Sequence, residues 1–258
     1  MQMIGYSTGA LAYGNFRRGV EMLRGRPIYT IELSALREAE LRPLLDGVDE
    51  LDLSQFSYIS LHAPSAFSPQ HEEQIVQWLR EAARKGWPII LHPDAIQDFA
   101  LWRPFGSSLL IENMDRRKPC GRTVRELENI FELLPDACLC FDLAHARQVD
   151  TTMTSAHLIL KRFGERLRQV HLSEVNTDSK HDRLSYGAIL AYQKVAALIP
   201  DNALVILETP VSGQAIEAEI ERAKEALNVG HDEREVDRLQ HPGGQYPRRA
   251  PLAPNFEV

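Results

Sequence analysis

The sequence predicts an α/β barrel, and three observations carry that expectation. Eight short apolar runs alternate with eight helix-like segments along the chain. Six of the runs stop abruptly at a histidine or a carboxylate, as strands do when their bodies are buried and their tips face a mouth. The chain has 258 residues, of which 44% are hydrophobic, enough for one large core of the size such barrels need. Strand–helix alternation at this spacing argues for parallel strands joined by right-handed crossovers, and eight units argue for closure. The expected fold is a single (β/α)8 TIM barrel over residues 1–227, followed by a tail over 228–258. A doubly wound sheet is the alternative, but no Gly-rich phosphate loop follows the first strand.

Each element has its own signal. Met3 to Ser7 reads as the first strand, with Gly9 ending it, and Asn15 to Arg24 as a helix stopped by Gly25. Pro27 to Leu33 is the second strand, with Glu32 near its end, and Leu36 to Leu45 the second helix. Phe56 to Leu61 is the third strand, ending in His62. Pro69 to Lys85 follows as an amphipathic helix with Ile75, Trp78, Leu79 and Ala82 on one face. Pro88 to Leu91 runs into His92, with room for only a short helix at Ala95 to Phe99. Ser107 to Ile111 runs into Glu112. The next helix, Thr123 to Leu134, starts with Thr123 and Glu126 at capping-box spacing. Ala137 to Phe141 runs into Asp142, and Thr154 to Phe163 is helical. Leu167 to Val170 runs into His171 ahead of a helix from Tyr186 to Leu198. Ala203 to Leu207 runs into Glu208, and Gln214 to Leu227 is the last helix. The tail is charged, then rich in Pro, Gly and Arg (Pro242, Gly243, Arg248, Arg249), and reads as a segment that is either extended along the barrel or partly disordered.

Composition excludes several classes. The net charge of -7 and pI near 5.7 give no overall basic field for nucleic acid or an anionic membrane. No apolar run approaches the roughly 20 residues that span a bilayer. Three cysteines, two of them (Cys138 and Cys140) on one presumed strand, fit a reduced, cytoplasmic chain, and no secretory signal is legible at the N-terminus.

The chemistry lies at the strand tips: His62, His92, Glu112, Asp142, His171 and Glu208. His145 and His181 follow two of them in the next loops. Barrel closure brings such tips to one mouth. Imidazole and carboxylate together suit a divalent metal ion such as Zn, Mn, Fe or Co. Burial without partners is a poor alternative account of so many charged groups.

The ordered motifs are Leu61-His62-Ala63-Pro64, Leu91-His92-Pro93, Ile111-Glu112-Asn113, Phe141-Asp142-Leu143-Ala144-His145, Val170-His171-Leu172 and Leu207-Glu208-Thr209-Pro210. Together they resemble the xylose isomerase-like barrel superfamily, which holds the sugar phosphate isomerases and epimerases and the endonuclease IV family (AP endonuclease family 2). The resemblance implies a metal held by Glu112, Asp142, His171 and Glu208. On its endonuclease side it implies a second metal at His62 and His92 with Glu112 as bridge, and a third at His145 and His181, so one to three ions per chain. This chain departs from that pattern at Ser179, where the endonuclease motif carries an acid, although Asp178 and Asp182 stand close by.

Two enzyme classes follow. As an isomerase or epimerase of a small sugar or sugar phosphate, the protein would use Glu112 and Glu208 as acid and base. His62, His92 and His145 would bind hydroxyls, and Lys180 or Arg183 a phosphate. As a multinuclear phosphodiester hydrolase it would clamp a nucleic-acid backbone at clustered metals. The acidic charge and Ser179 favour the small molecule. A catalytically inert barrel serving as a binding module is the non-enzymatic alternative, against which the carboxylate tips argue.

Overall fold

The computed structural model describes residues 3–229. They form β1 (Ile4–Ser7), α1 (Thr8–Ala12), α2 (Phe16–Leu23), β2 (Thr30–Ser34), α3 (Glu38–Gly47), β3 (Tyr58–His62), α4 (Glu72–Arg84), β4 (Ile89–Leu91), α5 (Phe99–Trp102) and β5 (Leu109–Glu112). The second half adds α6 (Val124–Leu133), β6 (Cys138–Asp142), α7 (Leu143–Val149), α8 (Thr154–Phe163), β7 (Leu167–Leu172), β8 (Glu174–Val175), β9 (His181–Asp182), α9 (Tyr186–Ala196), β10 (Leu204–Leu207) and α10 (Ile216–Ala226). Eight strands, β1 to β7 and β10, pair in parallel and close into a barrel in the order β1-β10-β7-β6-β5-β4-β3-β2. No helix among the described residues is long and apolar enough to cross a membrane. The expected tail lies outside the described residues from Gly230 onward.

Strand parity explains the layers. In β2, Ile31 and Leu33 join the large apolar cluster beneath the helices, and Thr30, Glu32 and Ser34 alternate with them into the bore. β5 and β6 repeat the pattern: Leu109, Ile111, Leu139 and Phe141 face the helices. The helices answer with one apolar stripe each, as α4 does with Ile75, Val76, Leu79 and Ala82. Apolar side chains fill only part of the bore. Among the described residues, only Ile90, Leu110, Cys138 and Cys140 form an apolar cluster there. Thr30, Glu32, Ser60 and Gln169, all buried, supply polar packing on the other side. β1 passes this layer at Gly5, where a Cβ atom would stand 2.0 Å from the Thr30 carbonyl oxygen.

Some local expectations change. Gly9 does not end the first strand's unit but lies inside α1. The short helix after β4 sits at Phe99–Trp102, because Pro93 starts a single 3-10 turn and Asp98 supplies the next N-cap by accepting from Ala100 N at 2.9 Å. The capping box at Thr123 is half made. Thr123 Oγ1 accepts from Glu126 N, but the Glu126 carboxylate turns to Arg122, accepting from its backbone N at 2.7 Å and its guanidinium. α7 and the β8–β9 hairpin have no counterpart in the sequence reading. The three cysteines are free; Cys138 and Cys140 are buried in the bore.

Candidate metal centre

The tips converge as closure requires. His62 ends β3, His92 follows β4, Glu112 ends β5, Asp142 ends β6, His171 lies on β7 and Glu208 follows β10. All six are buried, as is His145 one turn into α7. Asp142 has two jobs. Its Oδ1 caps α7 by accepting from His145 N at 2.6 Å, which leaves Oδ2 for the mouth. Asn113 locks this corner: its Oδ1 accepts from Asp142 N at 2.7 Å, its Nδ2 donates to Asp142 O at 2.9 Å, and its own carbonyl accepts from His145 Nδ1 at 3.0 Å.

Glu112 is the hub. Its Oε2 lies 3.1 Å from His62 Nε2 and 3.2 Å from His92 Nε2. Its Oε1 lies 3.3 Å from both His145 Nδ1 and His171 Nδ1. His171 Nδ1 is also 3.5 Å from Glu208 Oε2, and His181 Nε2 is 3.6 Å from the same oxygen. Burial raises the proton affinity of the Glu112 carboxyl, yet the charges of His171 and His92 and the close approach of the His145 and His171 ring nitrogens outweigh it and hold it well below the usual range. Burial likewise disfavours charge on His62, but its bond to Glu112 and the charges of Glu32, Glu112 and Glu208 lift it to about 9. His145 rises to about 10 against the same burial, chiefly through Asp142 and Glu112. His92, with less compensation, is pushed down by burial.

The donor atoms form overlapping groups. Glu112, Asp142, His171 and Glu208 each offer one atom, all within 4.8 Å of one another. His62, His92 and Glu112 form a second such group, and His62, His171 and Glu208 a third that overlaps both. Asp142 Oδ2 and His171 Nδ1 are buried with no hydrogen-bond partner, and both belong to the first group. Buried polar atoms left so are costly, and a divalent cation is the partner that four such donors suit. Ligands at ~2.0–2.2 Å from a metal lie no more than ~4.4 Å apart, so this group closes with sub-ångström shifts. The residues therefore fit a metal at the first group, and Glu112 is placed to be shared with the second.

His145 and His181 reach the same mouth, but among the described residues no carboxylate completes a three-donor group with them. Ser179, in a left-handed turn (φ 52°), points its hydroxyl at Gln148 Oε1 at 2.9 Å. His181 is steadied by Ser173 Oγ, 2.8 Å from its Nδ1.

Above the donors opens a cavity of about 750 Å³. Its lining includes apolar side chains such as Tyr13, Leu36 and Pro210 and charged ones such as Asp115, Arg117, Lys118 and Lys180. Lys180 lines this cavity; Arg183 does not, because its Nε donates to Glu219 at 3.2 Å on α10. Three groups escaped the sequence reading of the site: Asn113, Gln169 and the role of Glu32. Parity was a usable signal, since polar residues alternate with apolar ones through Thr30-Ile31-Glu32-Leu33-Ser34.

No protein-family model matches the sequence, and no curated protein matches it. Solved structures do share the fold. Endonuclease IV from Thermus thermophilus is 17% identical over 88% of this chain and 99% of that one, with a TM-score of 0.58. The 3-keto-D-glucoside 4-epimerase from E. coli is 12% identical over 88% of this chain and 100% of that one, at 0.56. A xylose isomerase-like TIM barrel protein from Mycobacterium smegmatis, solved in complex with magnesium, is 12% identical over 89% and 98%, at 0.58. This chain shares the barrel fold of these three structures.

Proposed function

We propose that the protein is a divalent-metal-dependent isomerase or epimerase of a small sugar or sugar phosphate. The observation that carries this reading is the pair Glu112 and Glu208, both close to His171 Nδ1, at 3.3 and 3.5 Å, in the lining of one concave cavity. Glu112, Asp142, His171 and Glu208 would hold the metal, which when bound polarises a carbonyl or hydroxyl of the substrate.

The side chains divide the remaining work. Glu208 touches two imidazoles and lines the cavity, so it is assigned to take the proton from the carbon beside the carbonyl. Glu112, deeper and faced by four imidazoles, is the weaker base, and the proton it passes back to the substrate would come from the charged rings of His62 and His145 beside it. His62, His92 and His145 line the cavity and would bind hydroxyls, and Lys180, in the same lining, would bind a phosphate. The low exposure of the floor keeps water from competing for the carbanion-like carbon.

The test is to supply Mn or Zn with a panel of aldoses, ketoses and their phosphates in D2O. Deuterium should enter at the carbon beside the carbonyl, and both Glu112→Gln and Glu208→Gln should abolish it. A panel that shows neither conversion nor exchange removes the proposal.

One observation favours a second reading, a phosphodiester hydrolase: Glu112 is shared with the His62–His92 group. Against it stand the cations of the mouth. Lys118 is paired with Asp94 at 2.8 Å and Arg117 with Asp115 at 3.3 Å, and the loops 63–68 and 93–98 carry no basic residue. Nicking of an abasic-site duplex should therefore be weak at physiological salt. Robust nicking that disappears in Glu112→Gln would reverse the preference.

A further inference from the structure

We propose that Glu32 is the positioning residue of the metal centre, fixing His171 from across the bore so that Nδ1 is the nitrogen offered to the metal. The proposal rests on the metal reading above and names a residue outside its ligand set.

Glu32 sits in the middle of β2, and its side chain is fully buried in the bore. A carboxylate there is costly unless it is bonded; Ser34 Oγ donates to its Oε1 at 3.5 Å, and its Oε2 is bonded twice. His171 Nε2 lies 2.9 Å from Glu32 Oε2, and Gln169 Nε2 donates to the same oxygen at 2.7 Å. Tyr58 OH donates to Gln169 Oε1 at 2.9 Å, which turns the amide NH2 toward Glu32. Tyr58, Gln169, Glu32 and His171 thus form one chain that rises through the barrel to the metal donors.

β1 and β10 separate β2 from β7 in the barrel, so this contact spans the bore rather than following a strand ladder. Its chemical consequence lies in the two nitrogens of His171. Nε2 points down to Glu32, while Nδ1 points up to Glu112 and Glu208. An acceptor below keeps the proton on Nε2, and the lone pair of the neutral ring is then on Nδ1, the atom left without a hydrogen bond. A carboxylate behind a ligating histidine also makes that ring a stronger donor to the metal. Gln169 Nε2 also stands 2.8 Å from His171 Nε2, and the two nitrogens share Glu32 Oε2 as their common acceptor.

The experiment is Zn titration of wild type, Glu32→Gln and His171→Ala against a chelating dye, with thermal unfolding of each metal-free protein. Glu32→Gln keeps the size of the side chain and removes its charge. Its Zn Kd should rise about 10- to 100-fold, with the metal-free melting temperature little changed. The Co-substituted protein should show altered d–d absorption, a signature that a purely structural residue would leave alone. Nitrogen-15 NMR of the Zn-loaded wild type needs no variant. It should show His171 with Zn on Nδ1 and a slowly exchanging proton on Nε2, and Zn on Nε2 overturns the proposal even where Glu32→Gln does not fold. Zn uptake lost in His171→Ala but unaltered in Glu32→Gln overturns the Glu32 proposal alone. Failure of the wild type to take up Zn overturns the metal reading and this proposal with it.

Discussion

The outside and the inside of the barrel wall are made from the same eight strands and obey different rules. Outward-facing residues such as Ile31, Leu61, Ile111 and Phe141 form one continuous apolar layer under the helices. Inward-facing residues hold a four-residue apolar cluster on one side and Glu32, Ser60, Gln169 and His171 on the other. Buried carboxylates show the contrast most sharply. Glu72, at the start of α4 on the outer side of the barrel, is satisfied by neutral donors: Gln97 N, Asp98 N and Trp102 Nε1 at 2.8 to 3.0 Å. Glu112, at the mouth, is faced by four imidazoles and leaves a neighbouring ligand atom unbonded. The first arrangement closes a structure. The second keeps charge concentrated and open to a cation, which is the physical signature of a site rather than a staple.

If this contrast is correct, substitutions in the two layers should separate chemistry from stability. The largest effect is expected at Glu208→Gln, with turnover lowered about 10²- to 10⁴-fold on whichever sugar proves to be the substrate. Melting temperature should stay near wild type. Asp142→Asn comes next: asparagine is an equal N-cap, so α7 keeps its bond to His145 N, but the anionic ligand is gone. Bound metal should fall by most of its wild-type content at unchanged circular dichroism, and full retention in both Asp142→Asn and His171→Ala would erase the site–staple distinction. In the outer layer, Leu79→Ala should cost about 2–5 kcal/mol in denaturant unfolding with metal affinity unaltered.

The bore's apolar side gives a smaller effect. Replacing Cys120, Cys138 and Cys140 together by serine should cost about 1–3 kcal/mol through buried hydroxyls, and metal content should not change. A large loss of metal at unchanged fold would place the cysteines in the site instead. The smallest effect is a pH dependence. His62 and His145 rise to about 9 and about 10 in the folded protein, above the ordinary value of 6.5. Their protonation stabilises the metal-free fold fully below that ordinary value, and the contribution disappears as pH climbs through about 9 to 10. A cation held by Glu112 would stand beside these two charged rings and be repelled by them, so Zn affinity should increase over that interval while metal-free melting temperature falls. Parallel rather than opposite trends in the two measurements would undo this part of the contrast.

The barrel and the order of its tips were legible in the chain alone. Alternation of apolar runs with helical stripes is a local pattern, and eight repeats leave few ways to bury both faces of the strands. Membership of the mouth was legible too, because a polar residue that ends an apolar strand has only one end of the barrel to face. His62, His92, Glu112, Asp142, His171 and Glu208 could all be found for that reason, and His145 and His181 followed from their loops. Glu32 was visible as a strand residue but not as a partner of His171. Parity says that a side chain enters the bore; it does not say what stands opposite. That depends on strand tilt, register and closure, which bring β2 and β7 together across two intervening strands. Loop chemistry was decided the same way. Ser179 turns to Gln148 and Arg183 to Glu219, 31 and 36 residues away in sequence, because a side chain bonds the nearest suitable partner in space. A chain order of residues cannot encode that proximity until the fold has closed.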